Sequence, residues 1–234
     1  AGAIRWSRIR GRAQQVFRPF VRGLCRLYFG LELRGTEHVP PSGPLLITPN
    51  HQSYLDVFVL MALIPSFFVS RDDVRHWPVI GFFARRAGTV FHRRGRASRD
   101  LLATADQVRQ RLEAGLAVCI YLEGTTDGGL TILPFKSSLV ETAIQSRALV
   151  VPTAILWSVS RPRMTVQDDV ACWRDDQVFG PHLWRFLGLG GAECEIVFSE
   201  PIPAEGAERK ALTQRIENAV RRLYGDGMGT PAKA

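Results

Sequence analysis

Short apolar runs alternate along this chain with longer stretches in which apolar residues recur at helical spacing. Runs at 45–47, 67–69, 116–122, 149–157 and 193–198 predict strands, because each is short and bounded by turn residues. Helices are predicted between them at 53–64, 98–115 and 134–146, and after the last of them at 207–223. Strands that alternate with helices are typical of an α/β fold, which is therefore the predicted class.

Length and charge narrow the expectation further. With 234 residues the chain can bury one sizeable core, and its net charge of +8 favours an anionic partner such as acidic lipid, nucleic acid or a phosphorylated substrate. It lacks a run of about 18 uncharged apolar residues, so we expect no complete membrane-spanning helix. The chain begins at Ala1 rather than at a methionine, so an upstream membrane anchor is an alternative that the sequence leaves open.

The first 30 residues form a basic amphipathic segment that contains arginines and no acidic residue. Apolar side chains, among them Phe20, Leu24 and Leu27, recur at helical spacing, with arginines on another side. Such segments lie in the interface of anionic membranes, although a helix that packs on the domain would show the same pattern. We predict a membrane-associating segment over 1–30, one domain over 31–224 and a disordered tail over 225–234.

A histidine and an aspartate lie five positions apart where the first buried strand meets the following helix. A neutral imidazole at His51 can take a proton from a hydroxyl, and the carboxylate of Asp56 can hold the other ring nitrogen. Ligand sites of α/β proteins commonly lie at such junctions. The alternative is a structural pair at the start of a helix.

Other candidate site segments also follow or end predicted strands. Arg94 comes at the end of 88–94 and supplies a guanidinium group, Glu123 opens a Gly-containing turn, and Pro152 lies in an apolar strand. Backbone amides of such a turn can bind an anion or an oxyanion. Basic groups beside a histidine base suit acyl transfer onto a hydroxyl of a phosphorylated acceptor.

Together these segments resemble the glycerolipid acyltransferases, the lysophosphatidic acid acyltransferase family. Asn50, His51 and Asp56 match the NHxxxxD motif of that family, and the segments 88–94, 122–126 and 151–152 resemble its second, third and fourth motifs in order. The segment 134–138 also resembles the Pro-Phe-Lys sequence that follows the third motif. The resemblance implies a mixed, mainly parallel sheet flanked by helices, preceded here by the N-terminal amphipathic helical segment.

The resemblance also implies a reaction. His51 is expected to be the general base and Asp56 to orient it, so that the acceptor hydroxyl attacks the thioester of acyl-CoA or acyl-carrier protein. Neither a metal nor another cofactor is expected. The acceptor is expected to be a lysophospholipid, with 1-acylglycerol-3-phosphate converted to phosphatidic acid at the cytoplasmic face of the inner membrane. The residues expected to bind substrate are Arg94, Glu123, Gly124, Thr125, Lys136 and Pro152.

Two departures from the family pattern bear on the acceptor. Leu122 replaces the usual proline of the third motif, and Thr126 replaces an arginine that helps to hold the acceptor phosphate. The resulting sequence looks similar to bacterial relatives that acylate lyso-ornithine lipid, which is therefore the alternative acceptor. An alternative of another class is a non-catalytic basic module that binds membranes or nucleic acid, although no nucleic-acid-binding motif is present and we expect no such partner.

Overall fold

The computed structural model describes residues 12–77, 80–93, 98–126, 128, 131–159, 164–171 and 179–228. Helices and strands alternate along most of this length. The helices are α1 Arg12–Tyr28, α2 Tyr54–Leu63, α3 Ile80–Arg86, α4 Ser98–Glu113, α5 Val140–Gln145, α6 Phe179–Leu189 and α7 Arg209–Met228. The strands are β1 Phe29–Arg34, β2 Leu45–Pro49, β3 Ser66–Arg71, β4 Val90–His92, β5 Ala117–Cys119, β6 Leu149–Ser158, β7 Ala192–Phe198 and β8 Ile202–Pro203.

All of these strands belong to one mixed sheet with the order β1-β7-β6-β2-β5-β3-β4, and β8 pairs with β6. Neighbouring strands are parallel except where β7 and β8 run antiparallel to β6. The predicted mixed, mainly parallel sheet flanked by helices is therefore confirmed. The central strand β2 ends beside β5 and β6, so residues that follow β2 and β5 meet at one edge of the sheet.

Helices cover both faces of the sheet. Leu45 and Ile47 of β2 point to a core that includes residues of α1, α2 and α6, whereas Leu46 points to a second core with α4, α5 and α7. All five residues of β2 are consequently buried. This is why the strand appears in the sequence as a continuous apolar run rather than as an alternating pattern.

The helix after β2 begins with a capping box. The Ser53 hydroxyl accepts a hydrogen bond from the Leu55 amide, and the Asp56 carboxylate accepts one from the Ser53 amide. This cap confirms the predicted start of the helix. It also places Asp56 in the first helical turn, where the partial positive charge of the helix terminus favours a carboxylate.

The N-terminal helix α1 packs on α2 and also exposes apolar side chains. Val21 and Cys25 are buried, and the Arg18 guanidinium donates to the carbonyls of Ala62 and Leu63 at the end of α2. On another side of α1, Phe20 is 60%, Leu24 43% and Leu27 75% exposed. The amphipathic helix is thus confirmed for its described part, and residues 1–11 of the predicted segment lie outside the described residues. No described helix is both long and apolar enough to cross a bilayer.

The helix predicted over 134–146 is wrong for its first half, since only Val140–Gln145 is α-helical. The amides of Phe135 and Lys136 instead donate to Glu217 of α7 and to the carbonyl of Leu122. These tertiary bonds replace the hydrogen bonds that helical residues would make within the segment.

The disordered tail predicted from Gly225 also begins too early. α7 continues to Met228, and Gly227 packs so closely on the Leu156 side chain of β6 that a Cβ atom at 227 would collide with it. Packing against the sheet therefore extends the helix beyond the end of its amphipathic pattern. Residues 229–234 lie outside the described residues.

Candidate active site

His51 and Asp56 form a direct pair at the junction of β2 and α2. The Nδ1 atom of His51 lies 2.9 Å from Oδ2 of Asp56. The aspartate side chain is fully buried, while 17% of the histidine side chain is exposed. Because Nδ1 faces the carboxylate, Nε2 is the ring nitrogen that can accept a proton from another group.

The buried carboxylate of Asp56 is held by further donors. Its Oδ2 accepts from the backbone amides of Gln52 at 2.7 Å and Ser53 at 2.8 Å, and its Oδ1 accepts from the indole Nε1 of Trp157 at 2.7 Å. A buried charge is tolerated when hydrogen bonds replace its lost hydration. Asp56 is therefore held both by the start of its own helix, α2, and by the neighbouring strand β6.

Two residues after β5 fix His51 itself. The Tyr121 ring stacks on the imidazole with a centroid separation of 3.9 Å and an interplanar angle of 25°. Burial raises the pKa of Tyr121 well above its usual value, and the nearby Cys119 and Asp56 raise it further. The phenol therefore stays neutral. The backbone amide of His51 donates to Oε1 of Glu123 at 2.7 Å.

Glu123 is buried beside the histidine loop. Its second carboxylate oxygen, Oε2, accepts from the Leu133 amide at 2.7 Å, and the residue is only 2% exposed. Both oxygens therefore bind backbone amides of segments that surround the histidine. Glu123 is therefore a brace between two loops, and its predicted contact with substrate stays a prediction.

A second brace lies one residue before the histidine. The Asn50 side chain donates to the Ile155 carbonyl at 3.0 Å and accepts from the Ile155 amide at 2.7 Å. This paired contact ties the end of β2 to β6 and is fully buried. It also keeps Trp157, two residues further along β6, in register with Asp56.

The turn after Glu123 brings a cation next to the histidine loop. Gly124 has a positive φ of 69°, and a Cβ atom there would lie 2.9 Å from the Lys136 ammonium. The positive φ favours glycine at this position, and the absence of a side chain lets the lysine ammonium approach the turn. Gly124, Thr125 and Lys136 line the same cavity as His51.

This cavity has a volume of about 580 Å³ and mainly apolar walls. It runs along the α1 and α2 face of the sheet, where Phe20, Leu24, Phe58 and Met61 line it, and Leu183 of α6 lies in the same wall. The polar group of His51, Gly124, Thr125 and Lys136 thus borders a space whose walls suit hydrocarbon.

Besides Glu123, two other residues predicted to bind substrate are not part of this group. Pro152 lies within β6 opposite Thr48, buried in the sheet and away from the residues that line the cavity, so its predicted role in the pocket is not supported by its position. Arg94 lies outside the described residues. Within the described ranges, no three His, Cys, Asp or Glu side chains are placed to hold a metal ion.

Sequence reasoning missed Trp157 and Tyr121, although both contact the predicted pair directly. Trp157 is 101 residues from Asp56, and no local pattern links them. Tyr121 lies just before Leu122 and Glu123, so its place at the end of a predicted strand was a usable signal.

Comparison with known proteins places these features in a family. A profile of the Acyltransferase family matches residues 30–156. The chain is 34% identical over 215 residues to a lyso-ornithine lipid O-acyltransferase from Brucella abortus, covering 87% of this chain and 79% of that protein. It is 31% identical over 204 residues to a 1-acyl-sn-glycerol-3-phosphate acyltransferase from Neisseria gonorrhoeae, covering 87% and 78%.

The fold matches as well. The crystal structure of the 1-acyl-sn-glycerophosphate acyltransferase PlsC from Thermotoga maritima superimposes with a TM-score of 0.71 at 18% identity, covering 97% of this chain and 86% of that one. Similarity at this identity reports on the fold, and the family profile and the curated relatives report on the chemistry. These comparisons exclude a purely non-catalytic binding module. The chain belongs to the acyltransferase family and is an O-acyltransferase.

Proposed function

We propose that this enzyme transfers a fatty acyl chain from a thioester to the free hydroxyl of a lysolipid, with His51 as the general base and Asp56 as the residue that orients it. The observation that carries the proposal is the His51–Asp56 pair, 2.9 Å apart, at the border of an apolar cavity. The relatives are named as lysolipid acyltransferases, which supports the same reaction.

The steps follow from the position of the imidazole. Nε2 of His51 takes the proton from the acceptor hydroxyl, and the developing alkoxide attacks the thioester carbonyl. The C–S bond then breaks, and the imidazolium returns its proton to the leaving thiolate of CoA or acyl-carrier protein. Asp56 stabilises the imidazolium during this exchange, and the products are an ester and a free thiol. No acyl-enzyme is needed.

The first candidate acceptor is 1-acylglycerol-3-phosphate. Lys136 places an ammonium group beside Gly124 at the His51 end of the cavity, and a phosphate needs such a cation. The net charge of +8 favours the same anionic class. The acyl chains would lie along the apolar walls.

A second candidate acceptor is lyso-ornithine lipid, whose headgroup carries both a carboxylate and an ammonium group. Thr126 is buried and offers no cation where an arginine is usual in the family. The cavity wall also holds an ion pair, in which the Arg71 guanidinium binds the Asp73 carboxylate at 2.9 Å. A pair of opposite charges suits a zwitterion better than a phosphate.

The apolar side of α1 supports a membrane partner for this reaction. Phe20, Leu24 and Leu27 are exposed on one side of the helix, and Arg26 is exposed on another. Such a helix lies in the interface of an anionic leaflet, which we propose is the cytoplasmic face of the inner membrane.

An acceptor panel tests the reaction and its acceptor together. Purified protein is given acyl-CoA or acyl-carrier protein with 1-acylglycerol-3-phosphate, lyso-ornithine lipid or lysophosphatidylcholine, and thiol release and lipid product are measured. We expect one of the first two acceptors to raise thiol release at least about tenfold over the acceptor-free rate. If none of the acceptors stimulates release with either donor, the proposal is wrong.

A further inference from the structure

The most exposed large apolar side chain on the described surface lies on α6, not on α1. Trp184 is 81% exposed, whereas Phe186 two residues later is almost completely buried. An indole that is exposed to this degree has apolar area available for a partner. Its place on the helix shows which surface it belongs to.

Trp184 lies beside the rim of the cavity. Leu183 and Leu187 of the same helix line the cavity, and Trp184 is three residues before Leu187, which makes them neighbours on the helix surface. The guanidinium of the next residue, Arg185, binds Asp169 at 2.8 Å. The indole therefore extends the apolar wall outward into solvent.

Two other helices extend the same wall. Phe20 and Leu24 of α1 line the cavity and are also exposed. On α3, Phe83 lines the cavity, and Phe82, which is 46% exposed, packs edge-on against it with ring centroids 5.3 Å apart. The cavity is thus bordered by apolar side chains from three helices.

Basic residues accompany this apolar border. The Arg86 guanidinium lies 4.9 Å from the Phe82 ring centroid, and Arg85 and Arg26 are exposed on α3 and α1. Exposed aromatic residues next to arginines complement the hydrocarbon boundary and the anionic headgroups of a lipid leaflet. We propose that α6 is a second membrane contact in which Trp184 inserts into the interface, so that α1, α3 and α6 together open the cavity onto the bilayer.

This inference rests on the proposed function only in taking the bilayer as the source of the acyl chains. It predicts that Trp184→Ala lowers partition of the full chain onto vesicles of phosphatidylethanolamine and phosphatidylglycerol by roughly tenfold, because the indole contributes a large apolar area. The matched control is Leu102→Ala on α4, which removes an apolar side chain that is 64% exposed and does not line the cavity. The control should bind as the wild type does.

A fluorescence measurement locates the indole itself. Because the chain also contains Trp6, Trp77 and Trp173, these three are first changed to phenylalanine, which leaves Trp184 and the buried Trp157. Vesicles with bromine-labelled acyl chains should quench this reference protein, and adding Trp184→Phe, which stays apolar, should preserve vesicle binding but remove most of this quenching. Unchanged partition of Trp184→Ala, or equal quenching of Trp184→Phe, would contradict the proposal. If Trp184→Ala changed the oligomeric state of the protein in solution without changing its partition onto vesicles, the surface would be assigned to contacts between copies. That result would also overturn the proposal.

Vesicle binding is measured without substrate, so its outcome does not depend on the reaction. His51→Ala should bind the vesicles as the wild type does even where turnover is lost. Loss of vesicle binding in Trp184→Ala would support the α6 contact even if the acceptor panel failed. If the enzyme were active but bound vesicles equally well with and without Trp184, only the α6 contact would be refuted.

Discussion

The indole Nε1 of Trp157 donates a hydrogen bond of 2.7 Å to Oδ1 of Asp56, which is the carboxylate that also faces His51. The end of β6 therefore holds the carboxylate from the side opposite to the α2 terminus. Trp157 does not line the cavity, and it makes no hydrogen bond to the imidazole. It therefore acts through Asp56, as a positioning residue.

Trp157→Phe should lower kcat by roughly tenfold and leave the KM values nearly unchanged. The variant keeps an aromatic ring in the core, where Trp157 packs edge-on against Phe29, but removes a hydrogen bond to a charged group. Such a bond contributes about 1.5–3 kcal/mol, part of which we expect to appear in kcat. Steady-state kinetics measures this, with the Tm as the check on folding. A variant with wild-type kcat would show that the indole bond is structural only.

Glu123→Gln should reduce both stability and kcat. The glutamine retains one carbonyl oxygen, so either the His51 amide or the Leu133 amide loses its acceptor at a cost of about 1–3 kcal/mol. For a chain of this size, that cost corresponds to a Tm lower by roughly 2–12 °C. The alternative role, binding of the acceptor headgroup, predicts the opposite kinetic pattern. A raised acceptor KM at unchanged kcat and Tm would favour that role.

Lys136→Met should raise the KM for 1-acylglycerol-3-phosphate about tenfold if that lipid is the acceptor, because the variant removes the cation beside Gly124 and keeps most of the unbranched side chain. The KM for the acyl donor should change less. Lys210→Met at the start of α7 is the matched control, since it removes one exposed positive charge that does not line the cavity. Equal effects of the two substitutions would show that only overall charge matters.

His182 should make stability depend on pH. Burial, together with the charge of Arg185, lowers the pKa of His182 below 6.5, whereas Asp169 opposes this shift. Below 6.5 the unfolded chain therefore binds a proton that the folded protein resists, so stability falls as the pH decreases from 6.5 towards the lowered pKa. The Tm of wild type relative to His182→Gln should fall between pH 8 and about pH 5.5. A Tm difference that does not vary with pH would contradict this.

Local features of the fold could be predicted from the sequence because neighbouring residues determine them. The start of α2 follows from Ser53 and Asp56, which cap the helix within four residues, and β2 follows from an apolar run that is buried on both faces. The same locality made the His51–Asp56 pair visible as a motif. Its geometry, with Asp56 in the first helical turn, is a direct consequence of the cap.

The supporting contacts could not be predicted, because they depend on strand order and register. Trp157 reaches Asp56 because β6 lies next to β2, and Tyr121 stacks on His51 because β5 lies on the other side of β2. The helix predicted over 134–146 failed for a similar reason. Distant acceptors, among them Glu217, take the amides that a helix would have used.

The most direct test of the account compares wild type with His51→Ala in acceptor-dependent thiol release, using the acceptor that the panel identifies. We predict that wild type forms one acylated lipid for each thiol released, and that the variant is slower by about 10²–10⁴-fold while its Tm and vesicle binding are retained. The account would be contradicted if His51→Ala kept most of the activity, or if wild type released thiol at the same rate without an acceptor.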